Sequence, residues 1–224
     1  KYTAYALLGK VLLYQDKFAE AASALDNVIG VYSLVSDYGS QFLRFGENGP
    51  ESVFEIQYSN QSNWYDWGCA HCSEGNYAII MNGPRGWSGP EYAQGWSFNV
   101  PTAEFYNSFE EGDTRRDATV LDIEAFAAAT GANYTEGYDH TGYFNNKYIP
   151  RAGESGGQTE LNYLTNFRII RYSDVLLMAA EAYNRGGIDD GLAQEFLNQV
   201  RRRAFGDDDH DISASGTALT DAIW

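Results

Sequence analysis

Apolar and small residues recur at three- and four-residue spacing in two distant stretches of the chain. In residues 167–204 they fall at Val175, Met178, Ala179, Ala182 and Tyr183, then at Ala193, Phe196, Leu197 and Val200. That spacing predicts two amphipathic helices joined as a hairpin. Gly186 and Gly187 stop the first helix, since glycine accepts the left-handed backbone that a helix end needs. Asp189 or Asp190 caps the second by accepting hydrogen bonds from its free amides. The amino end carries the same pattern at Tyr5, Leu8, Gly9, Leu12, Ala21, Leu25 and Val28, predicting helices over 2–15 and 18–29 with a turn at Asp16 and Lys17. Gly9 and Ala21 in one hairpin, and Ala179 and Ala193 in the other, are small where two helix backbones approach, the spacing of a tetratricopeptide unit. No third copy lies between them, so the chain is not a tandem solenoid, whose repeats adjoin. It is a helical scaffold with a long insertion.

Within the insertion, residues 32–48 predict a loop. Residues 52–58 (SVFEIQY) alternate and predict a short strand with Phe54, Ile56 and Tyr58 on one face. Periodicity is lost over 59–101, where Gly, Asn and Ser interleave with Trp64, Tyr65, Trp67, Tyr77, Trp87, Tyr92 and Trp96. Thr102 caps a helix running to about residue 109, and a charged DTRRD cluster at 113–117 leads into strand-like ATVLDI. Residues 125–137 read as a surface excursion, 138–160 as a loop, and TALTDAIW at 217–224 as a starting helix. The fold class is mainly α: tetratricopeptide-like helical hairpins with a long irregular, aromatic-rich loop insertion and a few short strands. The expected organisation is a single region: a hairpin at 1–30, the insertion at 31–166, a second hairpin at 167–204, and a loop with a helix start at 205–224. Both ends look like cuts through a longer protein.

Charge narrows the function. A net charge of −16 argues against nucleic acid, whose phosphates need Lys and Arg, and against direct contact with an anionic membrane. No run of apolar residues is long enough to form a transmembrane helix. With 17 Tyr and 5 Trp, aromatics exceed what a core of this size needs, so some lie at the surface as stiff contact platforms.

The aromatic window is the strongest candidate site. Pyranose rings present C–H faces that pack on aromatic rings while amides and charges take the hydroxyls. Trp64, Tyr65, Trp67, Trp87 and Tyr92 are the candidate platforms, and Asn63, Asp66, Asn82 and Arg85 the candidate hydrogen-bonding groups. The competing reading is that these rings pin an irregular loop to the scaffold. Cys69, His71 and Cys72 are one ligand short of a tetrahedral zinc site, so a local disulfide or two free thiols is expected in place of a metal. The acidic run at 207–211 lacks the alternation and glycine of a calcium loop. Asp113, Arg115, Arg116 and Asp117 form a structural cluster in which an Arg fork fixes a turn. Arg201, Arg202 and Arg203 end a helix, where the dipole favours cations. Glu104, Glu110 and Glu111 have no spacing that marks a glycosidase pair, and no Ser–His–Asp set, phosphate loop or HExxH motif occurs. No cofactor is expected.

Six stretches in order, ALLGKVLLYQDKFAEAASALDNVI, ESVFEIQYS, PTAEFYNSFEEGDTRRDAT, NNKYIP, NFRIIRYSDVLLMAAEAYNR and LNQVRRRA, give the chain a resemblance to the SusD/RagB family of surface glycan-binding lipoproteins of Bacteroidetes. The resemblance covers almost the whole chain and is to the central part of such proteins. It implies a non-enzymatic role: capture of an oligosaccharide or polysaccharide on the outer face of the cell outer membrane and delivery to a TonB-dependent transporter. It also implies a lipid anchor through an amino-terminal segment outside this sequence. The alternatives are a tetratricopeptide-type adaptor for peptides and, third, a glycoside hydrolase. An adaptor would set its aromatics along a groove between adjacent repeats, whereas here they lie between two distant hairpins.

Overall fold

The computed structural model describes residues 1–61, 67–155 and 161–224. The chain forms two compact units that interleave in sequence. One comprises Lys1–Tyr38, Asn48–Glu55 and Arg168–Trp224, the other Gly39–Glu47 and Ile56–Phe167.

The first unit is built on the two predicted hairpins. Helices α1 (Tyr2–Tyr14) and α2 (Phe18–Asp26) form one, α7 (Tyr172–Arg185) and α8 (Asp190–Phe205) the other, and α9 (Gly216–Ile223) packs on the second. The small residues sit where the spacing placed them. A Cβ on Gly9 would lie 2.5 Å from Leu25 Cγ. Ala21, Ala179 and Ala193 are fully buried. Ala6, Leu25 and Val28 join Val175, Leu176, Phe196 and Val200 in one core, so the distant hairpins share an interior. Asp189 caps α8 by accepting from the Leu192 amide at 3.0 Å. Of the two glycines after α7, only Gly187 is left-handed (φ 61°); Gly186 keeps a helical backbone.

Strand β1 (Ser52–Ile56) pairs with β6 (Phe167–Arg171). Phe54 and Ile56 do share a face, and it is the exposed one, while Val53 and Glu55 are buried. The reason is electrostatic. Glu51 and Glu55 are drawn inward by arginines, Arg203 Nη1 lying 2.9 Å from Glu51 and Arg168 Nε 3.6 Å from Glu55. All four side chains are almost fully buried. Arg203 is therefore an interior ion-pair partner as well as a helix-end cation, and burial lowers its pKa against the opposing pull of Glu51. Arg202 is held by Asp211 and Glu195, which ties down the acidic loop after α8.

The second unit has more regular structure than its sequence predicted. It contains α3 (Ala78–Met81), β2 (Arg85–Ser88), α4 (Ala103–Asn107), α5 (Arg115–Thr119), β3 (Val120–Asp122), α6 (Ile123–Thr130), β4 (Asn133–Thr135) and β5 (Tyr143–Asn145). β2 pairs antiparallel with β4 through Arg85–Thr135 and Ser88–Asn133, with an irregularity between. β3 pairs antiparallel with β5, Leu121 opposite Phe144. The expected surface excursion at 125–137 is thus largely helix and strand. Asp122 caps α6 by accepting from the Ala125 amide at 2.9 Å, and Gly131 closes it with φ 71°. Its alanines carry strong helix propensity but little hydrophobic contrast, so the periodicity signal is weak there. The loop expected over 138–160 contains β5. Thr102 does cap α4, accepting from the Phe105 amide, although the helix stops at Asn107. Arg115 forks onto Asp113 with Nη2–Oδ2 at 2.6 Å, fixing the turn before α5 as the cluster predicted.

Candidate ligand site

Residues 95–98 belong to no strand, but each of their amides is bonded to the backbone of residues 80–84. The Gly95 amide donates to Pro84 O, Trp96 to Ile80 O, Ser97 to Gly83 O and Phe98 to Met81 O, all at 2.8–2.9 Å. Gly95 is required there, because a Cβ would sit 1.9 Å from Asn82 O. Ser97 and Asn99 are both left-handed without being glycine (φ 57° and 52°). They flank Phe98, whose ring is left 52% exposed. Strained backbone of this kind persists where surrounding bonds over-determine it. Here the Ser97 hydroxyl accepts from the Arg85 amide, and the Asn99 side chain donates to Asn82 Oδ1.

A ladder of rings runs along this segment. Trp67 meets Trp96 at 5.4 Å and Tyr77 edge-on at 6.3 Å, and Trp96 meets Phe98 edge-on at 6.4 Å. Trp67 and Tyr77 are 43% and 41% exposed. Trp96 is partly buried against the Ile79, Ile80 and Tyr163 core and so anchors the ladder. Arg85 is exposed; its Nε donates to Trp96 O at 2.7 Å, and its guanidinium lies 5.7 Å from the Phe98 ring centre. Burial, and then the neighbouring Tyr77 phenol, raise the pKa of Tyr58.

Phe98 also lines a cleft of about 280 Å³ with Met81, Asn99, Tyr148 and Phe167. A second cleft of about 560 Å³ shares Asn99, Asn145, Tyr148 and Phe167 with the first and adds Phe105 and Lys147. Tyr148 and Phe167 stack at 4.9 Å. Rings, amides and one lysine, continuous with the ladder, form a surface suited to a ligand with apolar faces and many hydroxyls.

The predicted site residues divide. Trp67 and Arg85 lie on this surface. Trp64 and Tyr65, with Asn63 and Asp66, lie outside the described residues. Asn82 borders the smaller cleft, but its amide is spent internally: Nδ2 donates to Ala78 O and Tyr148 O, and Oδ1 accepts from Asn99. Tyr92 is only 4% exposed and Trp87 partly buried. They meet each other and Phe126 in a separate core with Leu121, Ile123 and Phe144. Burial, then the nearby Glu91 carboxylate, raise the Tyr92 pKa. Sequence reasoning missed Phe98, Phe105, Tyr148 and Phe167 as lining residues. The left-handed positions around Phe98 leave no mark in a pattern of hydrophobicity. Cys69 and Cys72 form a disulfide, so they offer no thiolate pair to a zinc ion.

Residues 50–223 match the SusD family model. The chain is 30% identical over 219 residues to SusD-like protein P2 of Formosa agariphila, covering 91% of this chain and 41% of that one. It superposes on a laminarin-binding SusD-like protein with a TM-score of 0.85 at 37% identity, covering 97% of this chain and 50% of the other. Against surface glycan-binding protein A of Bacteroides thetaiotaomicron, solved in complex with laminarihexaose, the TM-score is 0.86 at 30% identity, again over 97% and 50%. The chain thus spans about half the length of these relatives. With a family match over most of its length and the fold of those relatives, this chain belongs to the SusD family.

Proposed function

We propose that the protein captures oligosaccharide without cleaving it, at the extracellular face of the outer membrane, and passes it to a TonB-dependent transporter. Membership of the SusD family supports the class of function. The observation that carries the reading to this chain is the exposed ladder Trp67–Trp96–Phe98 with Arg85 beside it, running into the clefts lined by Tyr148, Phe105 and Phe167. Sugar faces stack on the exposed rings, and Arg85, Asn99 and Lys147 orient the hydroxyls. Two relatives of the same fold are named for laminarin or solved with laminarihexaose, which makes that glycan the first ligand to try. The transporter, the lipid anchor and the role of Trp64 and Tyr65 belong to the same proposal.

The test is calorimetric titration with laminarihexaose, followed by chromatography of the incubated sugar. Binding in the range of roughly micromolar to millimolar with the sugar recovered intact is expected, because an open platform buries less ligand than a closed pocket. Recovery of shortened products would overturn the non-catalytic reading. Absence of heat with laminarihexaose and with a panel of other neutral glycans would overturn capture itself.

A further inference from the structure

The disulfide lies in the same short helical segment as Trp67. Cys69 and Cys72 are joined with their Cα atoms 5.3 Å apart, and Trp67 opens that segment, Trp67–Cys72. The helical path breaks at Cys69, whose φ of −143° and ψ of 68° are not helical. The Ser59 amide donates to Glu74 O at 2.9 Å. Past the disulfide, Ser73 donates to Leu161 O at 2.9 Å, and Gly75 passes so close that a Cβ would meet Leu161 O at 2.2 Å. The chain after Cys72 is therefore fixed to the body of the unit, and the disulfide carries that fixity back across the break at Cys69 toward Trp67.

We infer that the Cys69–Cys72 disulfide is a positioning element of the ligand surface: it holds Trp67 against Trp96, so ligand capture depends on oxidation of this pair. The inference rests on the capture reading above for its functional consequence. Trp67 is an exposed ring of the ladder, and its neighbour Trp96 is anchored to a core independent of the disulfide. Opening the bond adds conformations to the segment that bears one ring and leaves the other in place. A ring in place for only part of the time raises the apparent dissociation constant in inverse proportion to the fraction of time it is in place. A fall of the competent fraction to about a tenth gives a roughly tenfold weaker dissociation constant.

Two measurements on the whole protein test this. The first needs no ligand. Two indoles 5.4 Å apart couple in the near- and far-ultraviolet circular dichroism. The coupled signal, defined as the part lost in Trp67→Ala, should also be lost on treatment with a phosphine reductant and in Cys69→Ser/Cys72→Ser. If it survives both treatments unchanged, the inference is wrong, whatever the protein binds. The second is titration with laminarihexaose. Reduction, or the double serine variant, should weaken binding roughly tenfold in the parent and have no further effect in a Trp67→Ala background. Equal losses in both backgrounds would assign the disulfide to general stability and overturn the positioning role, as would unchanged affinity in the reduced parent. Loss of the coupled signal on reduction in a protein that binds no glycan would uphold the positioning and reject the capture reading.

Discussion

Gly9 shows how much one side chain can decide. Its missing Cβ admits Leu25 Cγ to 2.5 Å of where that atom would be. Gly9→Leu should overpack this crossing and cost about 1–3 kcal/mol. Chemical denaturation of parent and variant checks it, and an unchanged midpoint would mean that the crossing relaxes freely. The rings of the aromatic window separate by the same kind of reasoning. Trp67 and Phe98 are exposed and Trp87 packs into a core, so Trp67→Ala and Phe98→Ala should each weaken laminarihexaose binding by about fivefold or more while leaving the melting temperature nearly unchanged. Trp87→Ala should do the reverse, lowering stability by about 3 kcal/mol. Titration and thermal melts on the three variants distinguish the two outcomes.

At the scale of elements, the joint between α7, α8 and α9 is made by polar side chains. Asp190 accepts from the Asn184 side chain at 2.6 Å and from the Gly216 amide at 2.7 Å, and Thr220 donates to Asn184. The Gly216 amide, then Asn184, hold Asp190 below the ordinary carboxyl value of 3.8. A depressed folded value favours the charged form in the folded state. Its stabilisation is therefore complete above that ordinary value and fades as pH falls through the lower folded one. Thermal melts of parent and Asp190→Asn across that acid range should converge as pH drops, with the parent losing more. Parallel curves would show that the carboxylate contributes nothing there. The helices on either side of this joint were legible because a long apolar stripe with a small residue at each crossing has few other solutions. The second unit was less legible for a physical reason. Its elements are short, half of helix α6 is alanine, and residues 95–98 are held by backbone bonds, which leave little mark in a side-chain pattern. The alternation in β1 did not say which face is buried, because that face carries Glu55, whose partner Arg168 lies far along the chain. Of the candidate surface, aromatic content pointed to the stretch that carries Trp67, Trp96 and Phe98, but which rings face outward depended on cores formed by residues well outside it, such as Phe126 and Tyr163.

At the scale of the molecule, the net charge of −16 is large, but the proposed site works by stacking and neutral hydrogen bonds. Laminarihexaose affinity should therefore change by less than about twofold between low and high sodium chloride, because such contacts are not screened as ion pairs are. A steep salt dependence in the same titration would point to an ionic ligand. The interleaving of the two units has a consequence for how the chain comes to exist. A ribosome releases α1 and α2 well before Val175, Leu176 and Phe196, with which Leu25 and Val28 share their core. The whole of the other unit is synthesised in between. The first hairpin must therefore wait for its partner hairpin while that unit is made. Such non-local closure is slow and leaves the nascent chain open to aggregation. During that interval its apolar face needs shielding, a demand set by the order of the sequence and absent from the finished fold.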